Sequence, residues 1–355
     1  MNVLIVGGSF GIKGGNHSSI INKLYYEMYD SGIWDNVTLF NGGYYSDLER
    51  FLQESKKADA TLWFANVPND LPKIRDVKKI NPYTILVGSK RNNGEYSFQD
   101  LMNRALGQKM NLLVEFSKNT TGSYQFALYD PLGVEWYKGE DIVEFTKVLN
   151  KRLKFLVKVT RLHTIQSDGN IDYINIPVDE EFFEHIKNCA EIFHTLIEPA
   201  ENVERFLGNS SFRCKSGFPS FKKDGLIYVS ARNIDKRYID QDNFIPTYME
   251  NGKIYYYGAR KPSVDTPIQL RLYQHYPKIN YMLHSHCYIK DAVFTHTPIP
   301  CGGLEEVGEI TSITNDGTLN FYTFNLIGHG SLVMATTVEQ MKSVEYYARP
   351  IPEVL

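Results

Sequence analysis

The chain has 355 residues, enough for two domains with separate cores, and its 43% hydrophobic and 22% charged composition is that of a soluble globular protein. A net charge of −3 gives no basic footprint for nucleic acid, and no apolar run approaches the length that spans a bilayer. Met1-Asn2 leads straight into Val3-Leu4-Ile5-Val6 without a basic leader, and Cys189, Cys214, Cys287 and Cys301 form no CxxC pair. A cytoplasmic protein with free thiols, and with no nucleic-acid or membrane partner, is therefore expected.

The first half alternates short apolar runs with helical spacing. Val3 to Val6 reads as a strand, and Ile20, Ile21, Leu24 and Tyr25 share one helix face. Strands are predicted over Val37 to Phe40, Ala60 to Phe64, Tyr83 to Val87 and Leu112 to Phe116, with helices over Leu48 to Ser55 and Phe98 to Leu106. Such alternation predicts an α/β fold, a Rossmann-like doubly wound sheet of parallel strands. The glycines after the first strand (Gly7, Gly8, Gly11, Gly14, Gly15) could cradle a phosphate at a helix N-terminus. They do not spell G-x-G-x-x-G, and the second strand ends in Asn41-Gly42-Gly43 without an acidic residue for a ribose. A structural turn is the simpler reading.

Tyr124 to Tyr129 reads as a further strand, Asp130-Pro131-Leu132-Gly133 as a turn, and Asp141 to Val157 as a helix. Lys147, Lys151, Arg152, Lys154 and Lys158 suggest that this helix has a solvated face. Ser167-Asp168-Gly169-Asn170 is the clearest local break. The expected division is a domain over residues 1–160, a linker over 161–177 and a second domain over 178–355.

Asp179 is placed to cap a helix whose Phe182, Phe183, Ile186, Ala190 and Phe193 face a sheet. Farther on, His284-Ser285-His286 ends an apolar strand, and period-two alternation puts both imidazoles on one face. His329 follows another apolar run, between Gly328 and Gly330, and Asp265 offers a carboxylate. Three imidazoles and one carboxylate suit zinc or another divalent metal. Cys287 should turn away from such a site and serve packing.

Lys261-Pro262-Ser263-Val264-Asp265-Thr266-Pro267, then His284-x-His286, then His329-Gly330, in that order, resembles the class II aldolase/adducin family. The likeness is closest to the L-ribulose-5-phosphate 4-epimerase branch, because Asp265 stands where the fuculose-phosphate aldolase branch carries Glu. Leu272-Tyr273, Tyr276-Pro277 and Asn209-Ser210-Ser211 continue the pattern, which covers roughly residues 178–355. The resemblance implies a class II aldolase-like α/β domain, a homotetramer, and aldolase or 4-epimerase chemistry through a metal-stabilised enediolate. The implied substrate is a small sugar carrying a phosphate. Phosphosugar dehydration, or an adducin-like scaffold without catalysis, are the alternatives.

The same resemblance implies roles for single residues. Asn209 corresponds to the asparagine that helps hold the substrate phosphate, and Ser263 is a retained phosphate ligand. The cradle departs from pattern at Arg232 and Asn233, which replace a small hydroxyl and a glycine, at Ser230 in place of a lysine, and at Val264 in place of a serine. Arg232 can supply the missing charge, since its planar fork binds two phosphate oxygens. The proton-transfer group is expected at Glu305 or Glu306, beside Asp265, although the preceding Thr-His of the family is missing. Tyr346 and Tyr347 lie near the C-terminus, where a family tyrosine serves a neighbouring subunit, but neither matches by motif.

Overall fold

The alternation in the first half forms β1 (Asn2–Gly11), α1 (Ser19–Asp30), β2 (Asn36–Tyr44), α2 (Tyr45–Ser55), β3 (Ala60–Asn66), α3 (Ile74–Ile80), β4 (Ile85–Arg91), α4 (Phe98–Gly107) and β5 (Leu112–Lys118). This computed structural model describes residues 1–68, 70–118, 122–161, 164–166, 176–197, 208–213, 225–314 and 317–350. It divides into two units, Met1–Arg161 and Leu162–Pro350.

In the first unit the five strands are parallel in the order β2-β1-β3-β4-β5. Side chains alternate across the sheet. Val3 and Ile5 pack in the core under α1, and Leu4 and Val6 in the core with α2 and α4. The doubly wound α/β class is as expected. The sheet does not close at β5: β6 (Tyr124–Tyr129) and β7 (Glu135–Gly139) extend it antiparallel, and α5 (Ile142–Arg161) covers one face. The sequence reading missed α3 and β7. Only Ile74 and Val77 of α3 are buried, and β7 is partly exposed throughout, so neither carries a strong apolar period. Arg152 leaves the solvated face predicted for α5 and stacks over Trp136, 3.6 Å from the ring centroid.

The glycine turn after β1 is tied by its own backbone. Ser9 N donates to Asn16 O at 3.0 Å, and Asn16 N to Ser9 Oγ at 2.9 Å. A Cβ on Gly15 would lie 1.9 Å from Ser9 O, so glycine is needed there for close approach. Asn41 accepts from Ser18 N and donates to Ser18 O, which locks the end of β2 to the start of α1.

The second unit contains β8 (Thr164–Gln166), α6 (Glu180–Ile197), β9 (Asn209–Arg213), β10 (Ile227–Ser230), β11 (Phe244–Glu250), β12 (Lys253–Tyr256), α7 (Thr266–His275), β13 (Tyr281–Ser285), β14 (Tyr288–Ile289) and β15 (Val293–Phe294). It continues with α8 (Glu305–Ile313), β16 (Phe321–Leu326), β17 (Gly330–Ala335), α9 (Val338–Met341) and β18 (Tyr346–Tyr347). Nine strands form one sheet in the order β15-β16-β17-β13-β9-β10-β11-β12-β8, antiparallel except at its two ends. β14 and β18 pair separately. Most of the linker expected at 161–177 lies outside the described residues, as does Cys214, but Thr164–Gln166 of that stretch form β8 against β12.

Asp179 caps α6 as expected, accepting from Phe182 N at 3.2 Å, and its other oxygen accepts from Tyr281 Oη at 2.6 Å. Phe182, Phe183 and Ile186 of α6 share a core with Phe212, Tyr281 and Leu283. The opposite face of the sheet packs Met282, Leu332 and Met334 against α7 and α8. Cys189, Cys287 and Cys301 are free thiols. Among the described residues, no helix is long and apolar enough to cross a membrane.

Gly330 opens β17 with φ +146, and a Cβ there would lie 2.0 Å from Ser285 O. Gly330→Ala should therefore cost about 1–3 kcal/mol through strain beside His329. A melting midpoint lowered by roughly 2–4 °C for each kcal/mol would report it. A midpoint equal to that of the unaltered protein would show that the turn tolerates a side chain.

Candidate metal centre

Three histidines meet on the α7/α8 face of the second sheet. Tyr281 and Leu283 of β13 turn towards α6, so Met282 and His284 point the other way. His286 follows one residue after β13 ends, and His329 occupies the tight turn from β16 to β17, where its N donates to Leu326 O at 2.9 Å. The three side chains belong to residues only 4%, 8% and 1% exposed. Their ring centroids stand 4.6–5.3 Å apart, and one ligating atom from each lies within 4.8 Å of the other two.

Hydrogen bonds orient two of the rings. His284 Nδ1 lies 2.9 Å from Ser331 O; a carbonyl only accepts, so Nδ1 carries the proton and Nε2 keeps its lone pair. That Nε2 is buried and has no hydrogen-bond partner. Burial, reinforced by nearby His329, pushes the His284 pKa down to about 4, so the ring is neutral at neutral pH. His329 Nδ1 bonds Glu306 Oε1 at 2.8 Å, both groups being buried. Burial alone would lower the pKa of His329, but Cys301 and Glu306 outweigh it and raise it well above the ordinary value. Burial raises the Glu306 carboxyl.

This donor set fits a divalent ion. An orphaned imidazole nitrogen in the interior costs roughly 1–3 kcal/mol, which a metal bond removes. A ligating histidine typically donates its other N–H to a carboxylate or a backbone carbonyl, and both arrangements are present. Among the described residues only His284, His286 and His329 form such a cluster.

The remaining candidates fall into different positions. Asp265 ends the loop before α7, and its Oδ2 accepts from Asn209 Nδ2 at 2.6 Å while its Oδ1 is buried without a hydrogen-bond partner. It lies outside the imidazole cluster, yet close enough to act electrostatically on His284 and Glu306. Asn209, paired in register with His284 across β9 and β13, is held at both ends of its amide, by Asp265 and by Gln269. Both ends of that amide are thus bonded within the protein, and it steadies Asp265. Ser263 is buried, and its Oγ accepts from Asp265 N at 3.3 Å.

Arg232 and Asn233 are exposed on a turn, Asn233 with φ +56, and Arg232 N donates to Lys261 O at 2.9 Å. Glu305 and Glu306 separate clearly: Glu305 is exposed, whereas Glu306 is spent on His329. Tyr346 packs edge-on against Phe193, and Tyr347 is half-exposed.

Two groups escaped the sequence reading. Lys236 is 6% exposed, and burial, opposed by Asp235 and Asp265, pulls its pKa down to about 8. Asp235-Lys236-Arg237 reads as a solvated charge run, so nothing in the sequence marks the lysine as internal. Cys301 Sγ lies 3.0 Å from His329 Nε2, a contact between residues 28 apart that no local spacing reveals.

Residues 187–313 match the family model for the Class II Aldolase and Adducin N-terminal domain. The resemblance drawn from the histidine and Lys-Pro-Ser motifs is thus shown over that stretch, and the N-terminal domain stays unassigned. No curated protein matches the chain in sequence. Among solved structures, the chain is similar to a DNA/pantothenate metabolism flavoprotein from Streptococcus pneumoniae, at 12% identity over 44% of this chain and 98% of that one, with a TM-score of 0.36. It is also similar to the N-terminal class II aldolase domain of a conserved protein from Thermoplasma acidophilum, at 15% identity over 51% and 90%, with a TM-score of 0.34.

Glu306→Ala should weaken zinc binding by roughly 10- to 100-fold, as loss of such outer partners does, with Glu306→Gln recovering part of it. Zinc affinity should also rise with pH through neutrality. Below its raised pKa His329 holds a second proton that the ion must displace, and above it the nitrogen is free. Chelator-competition titrations across pH measure both effects; an unchanged affinity in Glu306→Ala would show that the carboxylate does not hold the ring.

Proposed function

From a C-terminal region that carries a class II aldolase/adducin domain, we propose a divalent-metal, zinc-type enzyme that cleaves or re-forms a carbon–carbon bond of a phosphorylated sugar. The observation that carries this reading is the buried convergence of His284, His286 and His329, with His284 Nε2 left without a partner. These three residues would hold the ion. When bound, it supplies Lewis-acid polarisation of a substrate carbonyl.

The chain supplies the rest. Ser331 O and Glu306 hold two imidazoles in fixed orientations, and Asn209 steadies Asp265. Asp265 Oδ1, buried and with no hydrogen-bond partner, is the group we assign to moving the substrate hydroxyl proton. Glu306 fits that role less well, because its bond to His329 is already made. Arg232 is the proposed phosphate ligand: its turn bonds to Lys261, two residues before Ser263, and its side chain is exposed. We also infer a cytoplasmic homotetramer, the assembly that the family resemblance implies, since closed symmetry lets one chain complete the site of another.

Metal analysis and activity test the reading together. The protein should hold about one zinc-like ion per chain and release an aldehyde from a ketose phosphate, and His284→Ala and His286→Ala should lose both properties. Unchanged metal content in both variants would remove the site. Arg232→Ala should keep its metal and bind the phosphosugar roughly ten- to a hundredfold more weakly, as loss of a charge-assisted bond of about 1.5–3 kcal/mol requires. Affinity equal to that of the unaltered protein would leave the phosphate without this anchor. Light scattering that gives a monomer at micromolar concentration would exclude the tetramer.

A further inference from the structure

We infer that Cys301 is a fourth protein ligand of the metal centre, its thiolate holding a coordination position that a substrate takes over. The inference rests on reading the three histidines as a metal site. It starts from the contact of Cys301 Sγ with His329 Nε2 at 3.0 Å. His329 Nδ1 is already bonded to Glu306, so Nε2 is the nitrogen left for an ion, and the sulfur lies directly against it. Zinc bonds thiolate sulfur at about 2.3 Å and imidazole nitrogen at about 2.0–2.1 Å, so at the tetrahedral angle a sulfur and a nitrogen sharing one ion stand roughly 3.5 Å apart. The observed contact of 3.0 Å is shorter, so the sulfur would draw back slightly to admit the ion.

Asp265 is the competing donor: one of its oxygens accepts from Asn209, and the other is buried without a hydrogen-bond partner. Both Asp265 and Cys301 lie outside the set of atoms that are all within 4.8 Å of one another, and of the two Cys301 touches a ligating nitrogen. Cys301 is only partly buried, and its turn is closed by Gly303 N donating to Pro300 O at 3.0 Å, which holds the sulfur beside His329. Ligation forms the Sγ–metal bond as the S–H proton leaves to solvent, without electron transfer. A substrate with two oxygens to offer would displace the sulfur.

Cobalt(II) loaded into the full chain at one ion per chain tests this without any assay of turnover. The unaltered protein should show the intense near-ultraviolet sulfur-to-cobalt charge-transfer band. Cys301→Ser and Cys301→Ala should bind cobalt without the band and bind zinc at least ~10-fold more weakly, given that loss of even an outer partner costs that much. Cys287→Ser, which alters the thiol next to His286, should keep the band. Cobalt bound by the unaltered protein without the band, or a band that survives in both Cys301 variants, overturns the thiolate ligand and leaves the three-histidine site standing. Failure of the unaltered protein to take up cobalt overturns both.

Discussion

The second unit is arranged around an imidazole nitrogen held inside the protein without a protein partner. His284 Nε2 is buried, its ring proton is fixed on Nδ1 by Ser331 O, and burial pulls its pKa down to about 4. A neutral donor of that kind is costly to bury and valuable to a cation. The neighbouring elements can be read as what keeps it so. β17 supplies the carbonyl, β9 places Asn209 opposite His284 in register, and Asn209 in turn steadies Asp265.

The turn that carries His329 is constrained as closely as the strand that carries His284. Gly328 N donates to the buried Tyr288 hydroxyl at 3.0 Å, and its carbonyl accepts from Arg349. Gly330 lies so close to Ser285 that a methyl group would overlap its carbonyl oxygen. Two strands, β13 and β17, therefore meet at the site with almost no freedom, and Glu306 on α8 fixes the remaining ring orientation. Preorganisation of this kind keeps ligands in place before the ion arrives. It also explains why glycine, rather than any particular side chain, flanks His329.

The legible parts of the chain were those with a local period. β1, β3, β5, β6, α4 and α6 stood where apolar runs or helical spacing placed them, because the central strands are buried on both faces and the helices along one. α3 and β7 were not legible, since each buries too little for a period to emerge. At the site, His284 and His286 were readable from a strand ending in His-x-His, and His329 from its flanking glycines. What could not be read were long-range pairings. Glu305 and Glu306 look alike in sequence, and only the start of α8 decides that the second turns inward to His329. Asn209 likewise looks like a free amide until β9 sets it beside Asp265.

Lys236 shows the limit of charge as a sequence signal. A run of Asp-Lys-Arg ordinarily lies in water, and here the flanking charges keep partial exposure and pair with each other: Arg237 clamps Asp235 through both carboxylate oxygens. The lysine between them is driven inside by the short turn that follows Ile234, which is itself buried in the α6 core. Once inside, its charge costs enough to bring its pKa within reach of neutrality, and Asp265 is one of the two carboxylates that resist the change. A buried cation, a buried carboxylate oxygen and a buried imidazole nitrogen thus act on one another from three separate segments of chain. Convergence of this sort is costly for stability and has no packing rationale, which is why it marks the site more firmly than any one motif does.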